Sequence, residues 1–283
     1  MLCLDFSIIE FLKHIFLGIV QGITEVLPIS SSGHVELVKA LIGLESDDNI
    51  IFLILLNTGS LATFIIIYFK RLLELSKSFF VYIFKKSKRK DNYVNLIYLL
   101  KVLIACIPAG IFGLFFKQIF EESLANYAIL VSGIGLLITA TVIYYVSADN
   151  FSEAETNISW TDTLFIGLAQ AFAIVPGISR SGMTTSTALK RGNGISSALN
   201  FSFLMYIFIS IATTGLLVVE LIQEGSSISG VQYTYYLFAF LAAMIATYIA
   251  YKLIFNIFKS GKLRYFSYYC FAVGLLAILL FII

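Results

Sequence analysis

The chain alternates between long apolar stretches and short polar segments. Six apolar stretches approach or exceed the ~20 residues that a helix needs to cross a bilayer: 50–69, 93–116, 127–146, 200–222, 233–258 and 265–283. A helix satisfies all of its own backbone hydrogen bonds, as a segment in lipid requires. The pattern therefore predicts an all-α polytopic membrane protein with six transmembrane helices.

Residues 8–44 and 161–191 follow a different pattern. In each region a polar break with proline and glycine interrupts an apolar segment, at Pro28–Gly33 and at Pro176–Gly182. Neither half of either region gives a clean span. A short helix, a polar break and a returning helix are tolerated at membrane depth only where they are buried in protein or line a cavity. We therefore expect two re-entrant helical hairpins.

The two hairpins begin the two copies of an internal repeat. Gly18–Gln21 matches Gly167–Gln170, and Ile29–Gly33 matches Ile178–Gly182, both at an offset of 149 residues. Within a single membrane domain of 1–283, repeat one is expected over 1–147 and repeat two over 160–283. Each repeat holds one hairpin and three spans. Since three crossings reverse the side of the membrane, the second repeat should be inverted relative to the first.

Composition agrees with a membrane protein and excludes several other classes. Hydrophobic residues make up 59% of the 283 positions and charged residues 13%, with a mean hydropathy of +0.92, whereas soluble domains carry about 25% charged residues. The net charge of +2 is too small to indicate a nucleic-acid partner. The cysteines Cys3, Cys106 and Cys270 are scattered without CxxC spacing, which argues against a disulfide framework or a zinc site.

The basic residues predict the orientation, since lysine and arginine accumulate on the cytoplasmic side. One predicted side carries Lys70, Arg71, Lys77, Lys85, Lys86, Lys88, Arg89, Lys90, Lys190, Arg191, Lys252, Lys259, Lys262 and Arg264, and the other carries Lys13, Lys39 and Lys117. The first side should be cytoplasmic, which places both termini outside. The first hairpin would then open toward the outer face.

The second break contains an arginine at membrane depth, Arg180, and such a residue indicates a functional site with an anionic partner. Hydroxyl groups surround it at Ser179, Ser181 and Thr184, and a helix is expected to begin near Gly182. Helix N-termini bind anions through free N–H groups. These residues predict a phosphate receptor. The alternative is a glycine-rich kink with a snorkelling arginine.

The first break carries groups for acid–base chemistry. Gln21 and Glu25 share a helix face, Glu25 precedes the break and His34 follows it, and the turn between them holds Ser30, Ser31, Ser32 and Gly33. A carboxylate and an imidazole beside hydroxyls can move protons or activate a serine nucleophile. A divalent cation, Mg²⁺ or Ca²⁺, bridging Glu25 and two phosphates is inferred. The alternatives are a structural Glu25–Arg180 ion pair and a hydrogen-bonded core histidine.

The segments Gln21–His34 and Pro176–Thr184 resemble the two signatures of the bacitracin-resistance undecaprenyl pyrophosphate phosphatases. The resemblance implies a metal-dependent enzyme of the bacterial inner membrane. Because the first hairpin opens outward and carries the acid–base residues, the active site is expected to face the outer side. It would hydrolyse undecaprenyl diphosphate to the monophosphate that carries peptidoglycan precursors, and so confer bacitracin resistance.

Residue by residue, the resemblance assigns the retained acid to Glu25, the proposed nucleophile to Ser31, the essential histidine to His34 and the phosphate-clamping arginine to Arg180. Gln21 stands as an accepted variant of the first acid, and it would be a neutral, weaker metal ligand.

Three routes for the chemical step are left open: attack by Ser31, attack by His34, or attack by water that Glu25 activates. A second hypothesis is a flippase or transporter of polyprenyl phosphate, because broken helices in inverted repeats also bind anions in transporters. The expected partners are the polyprenyl diphosphate and membrane lipids, with a homodimer left open.

Overall fold

The structure is a computed structural model that describes residues 6–44, 50–118, 127–149, 151–224, 229–260 and 262–282. This part of the chain is helical and contains no strand. Its α-helices are α1 (Ile8–Val26), α2 (Ser31–Ile42), α3 (Ile50–Phe84), α4 (Arg89–Gln118), α5 (Ala128–Val146), α6 (Trp160–Phe172), α7 (Arg180–Lys190), α8 (Ile195–Glu224), α9 (Gly230–Lys259) and α10 (Leu263–Ile282). A short 3-10 turn, Lys86–Lys88, joins α3 to α4.

Six of the described helices are long and apolar enough to cross a membrane: α3, α4, α5, α8, α9 and α10. They coincide with the six predicted spans, so the all-helical, multi-pass fold class is confirmed. The first of these helices is longer than its predicted span of 50–69, because α3 continues to Phe84. Leu75 in this extension is fully buried in the main apolar core. This packing stabilises the helix beyond residue 69, in a region whose basic residues are predicted to form a link between helices.

The two interrupted regions each form a pair of short helices, α1 with α2 and α6 with α7. The breaks overlap the predicted ones but begin and end up to three residues earlier, at residues 27–30 and 173–179. The helix after the second break starts at Arg180 rather than at Gly182, because the Ser179 side chain accepts a hydrogen bond from the Gly182 backbone N–H and so caps the helix two residues earlier.

Glycines allow the first helix of each pair to pack closely against a spanning helix. A Cβ on Gly18 in α1 would lie 2.2 Å from the Ala239 carbonyl oxygen of α9, and one on Gly167 in α6 would lie 2.7 Å from the Ala105 carbonyl oxygen of α4. Small residues at such contacts let helix backbones approach in membrane proteins. Both broken pairs are thereby fixed to the spans.

An ion pair joins the two ends of the second helix pair. Arg191 at the end of α7 donates from Nε to Asp162 in the first turn of α6, at 2.6 Å. Burial alone would raise the pKa of Asp162, but the hydrogen bonds from Arg191 and Ser159 outweigh it and lower the pKa to about 2. The Asp162 carboxylate therefore stays charged at neutral pH, and its ion pair with Arg191 keeps the end of α7 attached to the start of α6.

Aromatic rings fill the centre of the molecule between α3, α8 and α9. The Phe64 ring lies 5.0 Å from that of Phe203 and 4.8 Å from that of Tyr206, and Phe203 also packs against Tyr251. These distances are within the range of favourable aromatic pairs. The cluster packs α8 against α3 and α9, and Tyr206 on α8 supports the site described next.

Candidate functional site

The two breaks touch each other in the interior. A Cβ on Gly33 would lie 3.1 Å from the Gly177 Cα, and one on Gly182 would lie 3.3 Å from the Pro28 carbonyl oxygen. The Ser181 hydroxyl donates to the Leu27 carbonyl at 3.0 Å. Segments that are about 150 residues apart in the chain are therefore in van der Waals contact.

The spanning helix α5 holds the second break through its backbone. Thr139 on α5 donates its hydroxyl to the Gly177 carbonyl at 3.1 Å, and its oxygen accepts from the Ser179 N–H at 2.9 Å. Gly177 has a φ of +85°, and a side chain there would collide with the Ser132 carbonyl at 2.0 Å. Only glycine fits both constraints.

The two breaks are capped in the same way. Ser30 caps α2 by accepting from the Gly33 N–H at 3.4 Å, and Ser179 caps α7 by accepting from Gly182 at 3.1 Å. The hydroxyl of Ser32 is 3.3 Å from Ser30, and that of Ser181 is 3.3 Å from Ser179. The serines and glycines of the two predicted phosphate turns thus form two helix N-termini that lie side by side.

Ser30 is strained, with a φ of +67° that non-glycine residues rarely adopt. Such strain costs about 1–3 kcal/mol and is found where the surrounding structure enforces it, frequently at active sites. Because Ser30 directly precedes Ser31, its backbone conformation sets the direction of the Ser31 side chain.

Glu25 is the centre of the hydrogen-bond network. Its carboxylate oxygen Oε2 accepts from Ser31 Oγ at 2.7 Å and from Gln21 Nε2 at 2.8 Å, and its Oε1 accepts from Arg180 Nη2. The Glu25 side chain is 4% exposed. A buried carboxylate that accepts from a serine hydroxyl has the geometry of a base beside its nucleophile.

Arg180 is held by three further contacts besides Glu25. Its guanidinium carbon lies 4.1 Å from the centre of the Tyr206 ring, a cation–π contact. Its Nη1 lies 3.5 Å from the Ser210 hydroxyl, and its backbone carbonyl accepts from Thr184. The side chain is still 23% exposed. Arg180 can therefore reach an anion while its orientation is fixed by α8.

His34 faces away from this network. Its Nδ1 lies 2.7 Å from the Ser30 carbonyl, which can only accept, so Nδ1 carries the proton. Its Nε2 lies 2.9 Å from the Tyr269 hydroxyl of α10. His34 has no hydrogen bond to Glu25, Ser31 or Arg180 here, and its visible contact is with the backbone of the strained Ser30.

Thr184 lies behind Arg180 and contacts its backbone. Its hydroxyl is fully buried, donates to the Arg180 carbonyl at 2.9 Å and lies 2.5 Å from the Ser202 hydroxyl of α8. In this arrangement it fixes α7 against α8 and does not point to the surface between the breaks.

The donor set suits a metal ion only together with a phosphorylated ligand. In the described ranges no group of three or more His, Cys, Asp or Glu side chains is placed to hold a metal. Two side chains offer oxygen ligands: the Glu25 carboxylate and the amide oxygen Oε1 of Gln21. The bond from Gln21 to Glu25 uses the amide nitrogen and leaves this oxygen free of it. Mg²⁺ is commonly held by one or two carboxylates plus substrate phosphates, so this pair fits that mode of binding.

Three residues of the site were not found from the sequence: Tyr206, Ser210 and Tyr269. Each lies within a predicted span, where tyrosine and serine are unremarkable in an apolar pattern. Their spacing carries no signal, because their partners Arg180 and His34 lie elsewhere in the chain. Only the packing of α8 and α10 brings them to the site.

The chain is similar to known proteins over nearly its whole length. The family model for bacitracin resistance protein BacA matches residues 14–276. A Bacillus thuringiensis (strain Al Hakam) protein named undecaprenyl-diphosphatase 2 is 38% identical over 269 residues, which cover 95% of this chain and 97% of the relative. Undecaprenyl-diphosphatases of Oceanobacillus iheyensis and Acholeplasma laidlawii are 39% and 37% identical, over 93% and 98% of this chain and 94% and 99% of their own lengths. Such agreement over the full length leaves one assignment: the chain belongs to the bacitracin resistance protein BacA family.

Proposed function

We propose that this protein hydrolyses undecaprenyl diphosphate to undecaprenyl phosphate and inorganic phosphate. The reaction returns the lipid carrier to peptidoglycan synthesis and confers resistance to bacitracin. The relatives named undecaprenyl-diphosphatase support the substrate. The observation that carries the chemistry is the hydrogen bond from Ser31 Oγ to Glu25, whose carboxylate is also paired with Arg180.

Binding of the diphosphate begins with an exchange of partners at Arg180. The guanidinium leaves Glu25 and forms two N–H bonds to the terminal phosphate, a geometry that arginine favours. The N-termini of α2 and α7 add backbone N–H groups and positive dipole ends. Glu25 Oε1 is then released from the guanidinium, while Oε2 keeps the hydrogen bond to Ser31 through which it accepts a proton.

In the chemical step Ser31 Oγ attacks the terminal phosphorus as its proton passes to Glu25. The new bond joins Oγ to phosphorus, and the bridging P–O bond breaks to release undecaprenyl phosphate. Glu25 gives that proton to the departing undecaprenyl phosphate and then accepts a proton from the water that attacks the phosphoserine. The Oγ–P bond breaks, inorganic phosphate is released, and Oγ takes its proton back from Glu25. Attack by His34 is disfavoured because its ring lies against Ser30 and Tyr269. Direct attack by water activated by Glu25 is the remaining competitor.

A divalent ion, Mg²⁺ or Ca²⁺, would be held by Glu25 and Gln21 together with the substrate phosphates. When bound, it would neutralise charge on the diphosphate. The role of His34 in this scheme is to hold the strained Ser30 carbonyl and so the orientation of Ser31.

The membrane arrangement that we propose is two inverted repeats whose re-entrant hairpins meet near the midplane. Its support is reciprocity at an offset of 149 residues. Gly33 approaches Gly177 and Gly182 approaches Pro28, while Asn57 and Tyr206, at equivalent positions, meet each other at 3.5 Å. Reciprocal contacts of this kind are those expected if a pseudo-twofold axis relates the two repeats. With the basic side cytoplasmic, the site opens to the outer face of the bacterial inner membrane and both termini lie outside.

The decisive experiment measures phosphate release from a polyprenyl diphosphate by the purified protein in detergent, with Mg²⁺ present and then chelated. We expect Ser31→Ala and Glu25→Gln each to reduce kcat by about 10²–10⁴-fold. Arg180→Lys, which loses the bidentate fork, should lose most of the activity. Arg191→Lys is the matched control, because Arg191 is at the opposite end of α7 and pairs with Asp162.

Near wild-type activity of Ser31→Ala would remove Ser31 as nucleophile and leave water activated by Glu25. The second candidate function, a flippase or transporter of polyprenyl phosphate, is supported by the meeting of two broken helices. Transport has no meaning in detergent. A wild-type protein that binds the diphosphate but releases no phosphate would therefore contradict the phosphatase and favour transport.

A further inference from the structure

A cavity of about 900 Å³ lies on the basic side of the molecule, apart from the site described above. Its walls are α3 near Lys70, α4 from Tyr93 to Lys101, the segment 155–158 and the first turns of α8. Glu25, Ser31, His34 and Arg180 do not line it. On α8 the cavity is lined as far as Leu204, whereas Arg180 contacts α8 at Tyr206 and Ser210.

Basic side chains outnumber acidic ones in the wall of this cavity. Three of the lining side chains are basic, Lys70, Arg71 and Lys101, and one, Glu155, is acidic. In the parts of the chain that the structure describes, no carboxylate lies within ion-pair distance of Lys70 or Lys101. The cavity therefore carries an excess of positive charge and would attract an anion.

Two of these cations are held in position before any ligand arrives. Arg71 lies over the Tyr98 ring at 5.1 Å and donates to Asn95 at 3.0 Å and to Glu74 at 3.1 Å. Lys101 donates to the Ile158 carbonyl at 2.5 Å and lies 5.3 Å from the Trp160 ring centre. Each retains donors that these contacts do not use. Preorganised donors reduce the entropic cost of binding a phosphate.

The cavity is also partly apolar and reaches the surface of the helix bundle. Ile67, Ile97 and Leu204 contribute apolar wall, and Tyr93 and Val94 on α4 are 52% and 71% exposed. Val94 lies in a candidate membrane span, on the side where α4 would face lipid. A ligand with an anionic head and an apolar tail would match both halves, while a free phosphate ion would use only one.

We propose that this cavity binds the phosphate headgroup of an anionic lipid from the leaflet on the basic side of the protein. The headgroup phosphate lies among Lys70, Arg71 and Lys101, and an acyl chain leaves along α4 past Val94. The proposal stands on residues that take no part in the phosphatase scheme.

The test compares how the purified protein retains phosphatidylglycerol and phosphatidylcholine from mixed micelles, measured by native mass spectrometry. We expect phosphatidylglycerol to be preferred. The double variant Lys70→Gln/Arg71→Gln should weaken that preference by about 10-fold, since each lysine or arginine near anionic lipid contributes on the order of one tenfold step in affinity or less. Lys85→Gln/Lys86→Gln removes the same charge from the same side, outside the cavity, and should retain the preference.

A variant of opposite sign guards against misfolding as an explanation. Glu155→Gln removes the one lining carboxylate and should increase retention of phosphatidylglycerol, which damage to the fold would not do. Size-exclusion elution and thermal unfolding of each variant report on the fold itself. Equal loss in the two double variants, or no preference for phosphatidylglycerol in the wild type, would overturn the proposal. Displacement of the lipid by inorganic phosphate would overturn the assignment of a lipid and indicate a site for the free ion.

Discussion

At the scale of single residues, the candidate site is built around the buried ion pair of Arg180 and Glu25. In this pair the Glu25 carboxylate takes the place at Arg180 that the substrate phosphate is proposed to occupy. Arg180 and Glu25 neutralise each other in the resting structure, and removing one partner of such a pair typically costs about 3–5 kcal/mol because a charge is left buried. A phosphate can replace the carboxylate at Arg180 without leaving that cation unpaired. The ion pair that the sequence offered as a structural alternative is thus present, and it is compatible with function.

Gln21 gives the prediction that belongs to this scale. Replacing it with glutamate adds a negative oxygen ligand beside Glu25, and calcium and magnesium sites gain affinity with ligand charge. We expect Gln21→Glu to lower the Mg²⁺ concentration for half-maximal phosphate release by about 10-fold. A titration of activity against Mg²⁺ measures this.

Gln170, the equivalent residue at the 149-residue offset, provides the control, because it lies in α6 and is not among the hydrogen-bond partners shown for Glu25, which are Gln21, Ser31 and Arg180. Gln170→Glu should leave the Mg²⁺ dependence of the remaining activity unchanged. If Gln21→Glu and wild type share one titration curve, Gln21 is not a metal ligand.

At the scale of helices, the two broken pairs depend on close packing against the spans. The sequence predicts that α1 and α6 are helices. It does not predict which spanning helix each one contacts, because the apolar pattern carries no information on packing partners. Glycine at Gly18 and Gly167 permits the approach, and α9 and α4 are the partners. The location of Glu25 at the end of α1 follows from that packing.

Gly18→Ala tests this packing. The added methyl group would lie 2.2 Å from a backbone oxygen of α9, so α1 must shift. Overpacking of this kind destabilises by about 1–3 kcal/mol. We expect a lower thermal unfolding temperature in detergent and reduced phosphatase activity, since α1 carries Gln21 and Glu25.

Gly215→Ala in α8 makes the same chemical change where nothing lies within 4 Å of the new Cβ. Alanine is the better helix former by about 1 kcal/mol, so this variant should be as stable as wild type or more stable. A Gly18→Ala protein with unchanged unfolding and activity would show that the α1–α9 contact is not tight.

At the scale of the whole molecule, the orientation that we propose in the membrane rests on the distribution of basic residues and on the proposed inverted repeats. The extension of α3 to Phe84 and the turn Lys86–Lys88 concentrate lysines at one end of the bundle. The lipid cavity proposed here opens near that end, and the two breaks meet inside the bundle. The proposed topology therefore places the two phosphate-binding regions at different depths along α8.

Cysteine labelling tests the topology. In a background with the three native cysteines replaced by alanine, we expect Gln223→Cys to react with a membrane-impermeant maleimide in intact cells. Lys88→Cys should react only in inverted vesicles or after lysis. Both positions are exposed, so accessibility depends on the side of the membrane alone. Labelling of Lys88→Cys in intact cells would reverse the proposed orientation.

The sequence by itself determined the six spans and the two broken helix pairs, and it supplied the residues to which we assign the chemistry. These are local properties, since apolar length, backbone hydrogen bonding and turn residues act over short distances along the chain. Tertiary structure decided which groups meet. It joined Arg180 to Glu25 across 155 residues, gave Ser31 rather than His34 the contact with the carboxylate, and brought Tyr206 and Tyr269 to the site. It also extended α3 and formed the basic cavity, because such contacts arise only when distant helices pack against one another.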